Sequence, residues 1–397
     1  MQQAAREELA RLVTGLPDPL GAEVPLDALA EGGGDGLEEA AERLGFGGVL
    51  RSTALTIVNE EAAAAAMKRR VEREGGMVLT LGEALRELPW LRERMWSLLD
   101  PRRDRYTAAV ALAEQEGRAT GYVVYIPRRV RIGFPIYVCL LLTRSGAQLL
   151  HNLIVLEEDT EATLVTGCGA PYRLQGVHIG VTEAWLARGA TLRYAMIHAW
   201  GPRLHVRPRT AVAIEKDANM ISYYMVYGEV ASLHTEPRYL IHGGSLYSAS
   251  VVAAEGRSIY HVGAAAELTA PGASAELVSR LVARDEARVT SPLKLVARAP
   301  GRGHVECLGL PLSPRATISS IPVLESHVDT AELSHEAAIG RLRGEELEYL
   351  MARGLTEEEA RSLLLRGFLH VEVPGLPKPV KALIEATEKM LAQRGAA

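Results

Sequence analysis

The spacing of hydrophobic residues divides the chain into three parts. Between Gly121 and Glu325, short β-branched and aliphatic runs alternate with Gly, Asp and Ala turns, without helical spacing over roughly two hundred residues. Runs of this length and composition are typical of strands. The flanking parts carry apolar residues three and four apart, which indicates helices. The clearest strand candidates are Tyr122–Ile126, Ile136–Leu142, Ala162–Val165, Thr191–Ile197, Met220–Val226 and Leu277–Val282.

A weak internal repeat runs through the strand-rich part. A turn residue or charge precedes an alanine, and a small or polar residue and an aliphatic residue follow it. Ala162, Ala190 and Ala218 lie 28 residues apart, Ala287 and Ala316 lie 29 apart, and Ala273 falls off this register. Recurrence every two to three dozen residues in an all-β stretch indicates a solenoid, in which stacked turns bury a common interior. A β-sandwich with accidental repeats is the alternative.

The helical parts lie at both ends of the chain. We expect a helical or mixed region over 1–115, a β-helix core over 116–325 and a helical region over 326–397. In the last region Thr356 is an N-cap candidate followed by three glutamates, and Gly367 is expected to end that helix. The other predicted helices are Gln2–Leu12, Leu37–Leu44, Glu60–Glu74, Leu85–Leu99, Leu333–Met351 and Val380–Ala392, and Met77–Leu81 is a predicted strand.

Composition narrows the classes of function. The net charge is −5 and the basic residues are dispersed, which argues against a nucleic-acid surface. The sequence has no apolar run of 18 residues and no apolar N-terminal segment, so we expect a cytoplasmic protein without a membrane span. It also lacks a GxxxxGK[ST] phosphate-binding loop, so any ATP hydrolysis would come from another chain.

Six potential ligands crowd into the twelve positions from Glu325 to Glu336. Imidazole and carboxylate groups both bind iron, and at a helix N-terminus His335 and Glu336 could both reach a neighbouring strand or subunit. Alternatively, Glu336 complements the helix dipole and His335 forms interface hydrogen bonds. The remaining members of the set, Glu325, His327, Asp329 and Glu332, are expected to be solvated.

The same stretch resembles the C-terminal signature of the SufB/SufD family, the scaffold subunits of the SUF iron–sulfur cluster assembly machinery. The shared pattern is a Pro-x-x-Glu strand end, a His-Glu-Ala segment, a helix with Glu, Tyr and Arg-Gly, and a closing Gly-Phe. The match spans about fifty residues in fixed order. The matching positions are Pro322, Glu325, His335, Glu336, Ala337, Glu345, Tyr349, Arg353, Gly354, Gly367 and Phe368.

This resemblance implies a right-handed parallel β-helix flanked by helical regions, in agreement with the repeat. It implies a scaffold subunit, not an enzyme, that dimerises with itself or a SufB/SufD paralogue through the core. It also implies a transient iron–sulfur cluster and admits a reduced flavin. The C-terminal helices would bind a SufC-type ABC ATPase. The docking residues would be Leu347, Tyr349, Leu350, Arg353, Gly354, Gly367 and Phe368.

Four residues are candidate cluster or metal ligands by the same resemblance. The family's His-Glu pair, here His335 and Glu336, lies near the subunit interface where a cluster forms. Cys307 looks like the cysteine of a Gln-Cys-Asp strand in SufB, and Cys168 like the cysteine of a Gly-Cys-Thr-Ala-Pro turn implicated in receiving sulfur. The cluster-bearing cysteine of SufB should fall at Ala316, so this chain is more like SufD or an unspecialised relative.

No specific chemistry is predicted for the remaining candidate residues. The cysteines show no CxxC spacing, so no disulfide framework or zinc knuckle is predicted, and Cys139 is expected to lie in the core. Cys168 could equally be a buried apolar residue. His178 and Glu183 are interpreted as structural polar residues, whereas His198 with Trp200, and His234 with His242, lack supporting partners.

Two further functions remain as alternatives. One is a β-helix carbohydrate-active enzyme with carboxylates on the solenoid face. Only 5% of the residues are aromatic and could stack on sugars, and such an enzyme would not need the helical tail, so this class is disfavoured. The other is a structural partner subunit without cluster contact, which Ala316 permits.

Overall fold

A computed structural model describes residues 2–24, 26, 36–44, 55–58, 61–64, 66–342 and 344–396. Strands account for 45% of the structure and helices for 24%, which confirms the mainly β prediction. The helices are α1 (Gln2–Gly15), α2 (Leu37–Arg43), α3 (Ala66–Arg73), α4 (Leu81–Glu87), α5 (Leu91–Arg94), α6 (Arg105–Gln115), α7 (Gly344–Ala352), α8 (Glu357–Leu369) and α9 (Lys378–Ala396).

The strands follow one another from the N-terminal region to the end of the core. They are β1 (Leu55–Val58), β2 (Glu61–Ala64), β3 (Met77–Thr80), β4 (Tyr122–Ile126), β5 (Arg131–Leu141), β6 (Gly146–Leu156), β7 (Glu161–Gly169), β8 (Gln175–Leu186), β9 (Thr191–Ala199), β10 (Arg203–Val206), β11 (Arg209–Ile214), β12 (Asn219–Gly228), β13 (Ser232–Thr235), β14 (Arg238–Ile241), β15 (Ser245–Ala254), β16 (Ile259–Val262), β17 (Ala264–Leu268), β18 (Ala273–Ala283), β19 (Arg288–Ala297), β20 (Gly301–Pro311), β21 (Thr317–Ser326) and β22 (Glu332–Ile339).

The core is a parallel β-solenoid of about seven turns, as the repeat predicts. Within each turn the chain passes from one sheet to the other, so successive strands alternate between two sheets. The first sheet stacks β5, β7, β9, β12, β15, β18, β20 and β22 in parallel, and the second is built on β4, β6, β8, β19 and β21 with shorter strands between β8 and β19. In those middle turns the second sheet is split at Pro208, Pro237 and Gly263. Each of these turns therefore contributes two short strands, and at Pro208 and Pro237 the proline lacks the N–H that a continuous ladder needs.

The alanine repeat marks the corners of the solenoid. Ala190 and Ala218 are equivalent, because Thr191 and Asn219 pair directly, and both side chains are buried. Ala287 and Ala316 are equivalent at another corner. Ala162 lies two residues out of register with Ala190, since it pairs with Leu192. The 28-residue spacing from Ala162 is therefore accidental, whereas the two other spacings reflect single turns.

Alternation along each strand separates an interior core from two outer faces, each covered in part by a terminal region. The interior contains apolar residues such as Leu164, Leu192 and Leu277. The outer face of the first sheet packs against α8 and α9, where Leu365 and Ile384 join Val251 in one cluster. On the second sheet, α6 residues such as Tyr106 and Val110 pack against Leu149 and Ile179. Both terminal regions therefore pack on the solenoid through apolar contacts.

Several predicted helices are wrong in part. Glu61–Ala64, within the alanine run, is a strand that pairs with β1, because sheet pairing overrides alanine's helix propensity. The predicted Leu85–Leu99 helix is divided at Pro89 into α4 and α5. Gly367 does not end its helix, because α8 continues to Leu369, which is buried in the core.

Other predicted elements are confirmed. The helices near the N-terminus and over Leu37–Arg43 form, and Thr356 caps α8 through a capping box with Glu359. The final helix also forms as α9. Among the described residues, no helix has the length and apolar character needed to cross a bilayer.

Candidate functional site

His335 and Glu336 lie on β22 and not at a helix N-terminus. The prediction of a helix from Leu333 is wrong because β22 pairs with β20 residue by residue and completes the last turn of the solenoid. Leu333 packs against the interior core, so the alternate residue His335 shares its inward-facing column. Glu336 faces the opposite side, in register with Glu306. The pair therefore cannot bind one ion from this strand.

Cys307 lies on the neighbouring strand and faces the same interior as His335. It pairs with Ala337, two residues from His335, whereas His335 itself pairs with Val305. The thiol is fully buried beside the hydroxyls of Ser279 and Ser291. Burial raises the pKa of the Cys307 thiol, although these hydroxyls act in the opposite direction. Cys307 and His335 are thus brought together, with the thiol protonated at neutral pH.

The end of the solenoid around these residues is uncovered. Within the described residues, β21 and β22 are edge strands with a neighbour in the ladder on one side only. Ile321, Val323 and Ile339 on these strands expose 45%, 38% and 48% of their surface. Unpaired strand edges with apolar side chains are templates for pairing with another chain. The candidate ligands therefore lie beside a surface suited to association.

Cys168 is remote from this end. It lies on β7, five strands from β20, which corresponds to about 24 Å at ordinary strand spacing. It is buried, and burial raises the pKa of its thiol far above the ordinary value. Its neighbour in register is His198, whose Nδ1 is hydrogen-bonded to the Tyr224 hydroxyl at 3.0 Å. The structure does not bring Cys168 and Cys307 into one site.

The other candidates near the end of the solenoid are solvated or lie at corners. The Nε2 atom of His327 lies 2.7 Å from Glu325, which also pairs with Lys294 at 2.9 Å. Asp329 and Glu332 are exposed, as expected. Ala316, where SufB would carry a cysteine, is buried at a corner of the last turns. These residues do not extend the set formed by Cys307 and His335.

A buried ionic network in the second sheet was missed by sequence reasoning. The ring of His151 lies between Glu114 and Glu183, with nitrogen–oxygen distances of 2.5 and 3.1 Å. Burial alone would lower the pKa of His151, but the two carboxylates outweigh it and raise the pKa to about 9. Glu183 also accepts hydrogen bonds from the backbone N–H groups of Trp96 and Leu98 at 2.6 and 2.7 Å.

This network joins the N-terminal region to the solenoid. Glu114 lies on α6, and the ring of Trp96 packs against that of His151, with centroids 4.3 Å apart and planes inclined by 43°. The structure thus gives Glu183 a structural role, as expected. No local pattern could reveal the network, because its members come from four separate stretches of the chain.

The remaining single histidines and Cys139 find ordinary surroundings. Cys139 lies in the apolar cluster on the outer face of the first sheet, and burial raises its pKa to about 12, which agrees with the predicted core role. His178 Nδ1 bonds Gln148 at 2.8 Å inside the solenoid. His234 does not pair with His242. It stacks on His261 instead, and His242 bonds Thr269 at 2.5 Å.

The residues proposed for docking lie on α7 and α8. Helix α7 has no buried residue, and Tyr349 exposes 60% of its surface while its hydroxyl accepts a hydrogen bond from Arg353. Gly354 adopts a φ of +97°, a left-handed conformation that ends α7. Phe368 is partly buried and packs against the cluster beneath α8. The segment therefore packs on the solenoid through one side of α8 and exposes a partly apolar surface to solvent.

Comparisons with known proteins identify the family. The family model described as the SUF system FeS cluster assembly SufBD core domain matches residues 140–368. An iron–sulfur cluster assembly SufBD family protein of Methanothermobacter thermautotrophicus (strain Delta H) is 35% identical over 319 residues, covering 79% of this chain and 77% of the relative. One from Archaeoglobus fulgidus is 33% identical, covering 80% and 85%.

A more distant relative carries a specific subunit name. The iron–sulfur cluster assembly protein SufB of Bacillus subtilis is 27% identical over 320 residues, covering 78% of this chain and 68% of the relative. Family membership supports a role in iron–sulfur cluster assembly, and the parallel β-solenoid is the fold that the signature implied. The chain belongs to the SufB/SufD family of iron–sulfur cluster assembly proteins.

Proposed function

We propose that this chain is a scaffold subunit that helps to hold a nascent iron–sulfur cluster at the uncovered end of its solenoid. The observation that carries the proposal is the placement of Cys307 and His335 on adjacent strands, on one inward face, at that end. A thiolate and a neutral imidazole are both established ligands of iron–sulfur clusters. Glu336 faces outward and would serve a partner chain or solvent instead.

The proposed scaffold works as a dimer, with itself or with a SufB/SufD paralogue. The edge strands β21 and β22 and their exposed apolar residues support association through this end of the core. One cysteine and one histidine do not complete a cluster site, and Ala316 removes the thiolate expected in SufB. The partner chain would therefore supply the missing ligands across the interface.

A SufC-type ATPase is the proposed second partner. The exposed side of α7 and α8, around Leu347 to Phe368, is the proposed docking surface, supported by the exposed side chains of Tyr349, Met351 and Leu363. This chain lacks a phosphate-binding loop, so ATP hydrolysis belongs to that partner.

In this proposal two ATPase subunits bind as a pair, and their motion acts on the scaffold. Closure on ATP would be transmitted through α8, whose Leu365 and Leu369 pack on the outer face of the first sheet. A two-state change at the subunit interface could then uncover Cys307. Exposure to water would lower the pKa of this buried thiol and allow the thiolate to bind iron.

The described residues give little support to roles for Cys168 and a reduced flavin. A sulfur-receiving role for Cys168 would need an accessible thiolate, and in this structure burial keeps the thiol covered and protonated. A reduced flavin gains no support from the described residues and forms no part of the proposal. A carbohydrate-active enzyme is disfavoured because the chain belongs to the SufB/SufD family.

Anaerobic reconstitution with iron and sulfide tests the cluster role. The purified dimer is compared with His335→Ala, and His304→Ala is the matched control, since His304 lies on the adjacent strand, pairs with Ser334 and faces outward. We expect His335→Ala to weaken cluster retention at least about tenfold, as loss of a metal-site residue commonly does. Visible absorption and retained iron measure the effect. Equal retention in His335→Ala and wild type would favour a purely structural subunit.

A further inference from the structure

We propose that His234, Glu236 and His261 form a binding site for a divalent first-row transition-metal ion. This His–Glu–His site lies on the second sheet, in the middle turns of the solenoid, away from the uncovered end that carries His335. Among the described residues, these three bring their ligand atoms within 4.8 Å of one another.

The solenoid itself places the two imidazoles together. His234 on β13 pairs directly with His261 on β16, one turn further along the chain. The rings stack with centroids 4.5 Å apart and an interplanar angle of 18°. Glu236 follows β13 at the break before Pro237, and one of its carboxylate oxygens is hydrogen-bonded to Nε2 of His261. Two nitrogens and one oxygen are thereby held at one point of the surface.

The site contains a buried polar atom without a partner. Nδ1 of His234 is buried and makes no hydrogen bond. Such atoms are uncommon in folded proteins and call for an explanation, of which an absent ion is one. A neutral imidazole has a lone pair on one ring nitrogen, and this is the form that binds metals.

The charged groups around the site are compatible with the binding of a cation. Glu236 contributes a carboxylate, whose negative charge attracts a cation. Arg209 and Arg207 lie nearby and would repel a metal, but Asp104 pairs with Arg209 at 2.9 Å and Asp18 pairs with Arg207 at 2.8 Å. These two ion pairs neutralise the arginines, so the remaining net charge near the site is that of Glu236 and the two imidazoles.

The donor set selects the class of metal. Two imidazole nitrogens and one carboxylate oxygen suit zinc, iron(II), cobalt or nickel, whereas magnesium and calcium prefer oxygen ligands throughout. The side chains of His261 and Glu236 expose 22% and 44% of their surface, so an ion can enter and keep water ligands. The site therefore fits a solvent-accessible three-residue centre with open positions.

Zinc titration of the untagged, chelator-stripped protein tests the site. Zinc binding is measured in competition with a chromophoric chelator for wild type, His261→Ala and Glu236→Gln. We expect one competing site in wild type, and affinity at least about tenfold lower in both variants. Magnesium in excess should not displace the zinc. Circular dichroism verifies that each variant is folded.

Two control variants separate this site from others on the chain. His242→Ala removes a histidine outside the site that bonds Thr269, and His335→Ala removes the proposed cluster ligand. Both should bind zinc as wild type does. Wild-type affinity in His261→Ala, or loss of binding in His335→Ala with retention in His261→Ala, would overturn the inference. Neither outcome bears on the proposed cluster role, which is read by iron and sulfide retention.

Discussion

At the scale of single residues, burial changes the chemistry of side chains that look alike in the sequence. His151 and His178 are both fully buried in the second sheet. His151 lies between two carboxylates, and its pKa rises to about 9. His178 has an amide neighbour instead, and burial lowers its pKa to about 3. One histidine therefore carries a charge at neutral pH and the other does not.

Replacement of His151 should destabilise the protein in a pH-dependent way. His151→Gln leaves Glu114 and Glu183 without their cation, and removal of one partner from a buried pair typically costs about 3–5 kcal/mol. Because folding raises the pKa of His151 from 6.5 to about 9, its contribution is full below pH 6.5 and is lost as the pH rises through about 9. Urea unfolding on both sides of this range measures the effect.

The matched control for this prediction is His242→Gln. His242 bonds a single threonine, so its replacement should lower the free energy of unfolding by no more than about 1 kcal/mol. Equal stability of wild type and His151→Gln below pH 6.5 would contradict the ionic role of His151.

At the scale of elements, pairing decides which segments become strands. The segment Glu332–Ile339 has apolar spacing that suits a helix, yet it completes a ladder with β20. The helices that follow have no such template. Helix α7 remains almost free of the solenoid, whereas α8 and α9 pack on the first sheet. A helix with little buried surface and an exposed tyrosine is suited to a partner.

The proposed docking role of α7 predicts the behaviour of Tyr349→Glu. Tyr349 is 60% exposed and has no buried contact to lose, so the variant should fold with a free energy of unfolding within about 0.5 kcal/mol of wild type. It should nevertheless lose co-purification with the SufC-type ATPase, because a charge replaces an apolar contact. Val323→Glu, on the edge strand β21, is the control and should retain the ATPase. Unchanged binding of the ATPase by Tyr349→Glu would contradict the docking proposal.

At the scale of the whole molecule, stacking of turns leaves the last turn with only one neighbour. Interior residues elsewhere in the solenoid are covered from both sides, whereas His335 and Ile339 on β22 are exposed. Repeat proteins commonly need a cap at such an end. In the proposed dimer the partner's solenoid provides that cap.

A charge on the last turn should therefore disrupt the dimer. Val323→Glu places a carboxylate on the edge strand β21, where Val323 is 38% exposed. Ile259→Glu is the matched control, because Ile259 is equally exposed at 39% but lies in the middle of the solenoid. Light scattering after size exclusion gives the mass of each variant, alone and co-expressed with a SufB/SufD paralogue. A dimer that persists in Val323→Glu would contradict association through this end.

The sequence alone was sufficient for properties that depend on local pattern. β-branched runs between turn residues predicted the strands, small corner residues such as Ala190 and Ala218 predicted the solenoid, and the ordered signature from Pro322 to Phe368 predicted the family. These properties follow from backbone preference, side-chain size and residue order, which can be read without knowing what each segment contacts.

Only the tertiary structure decided which side chains meet. His335 and Glu336 are neighbours in sequence but lie on opposite faces, because the segment is a strand and strand side chains alternate. His234 and His261 lie 27 residues apart, yet stack because one turn of the solenoid separates them. The length of each turn varies, so a spacing in the sequence does not specify register. Register is settled by the ladder of hydrogen bonds between turns and by the packing of the interior, and both exist only in the folded chain.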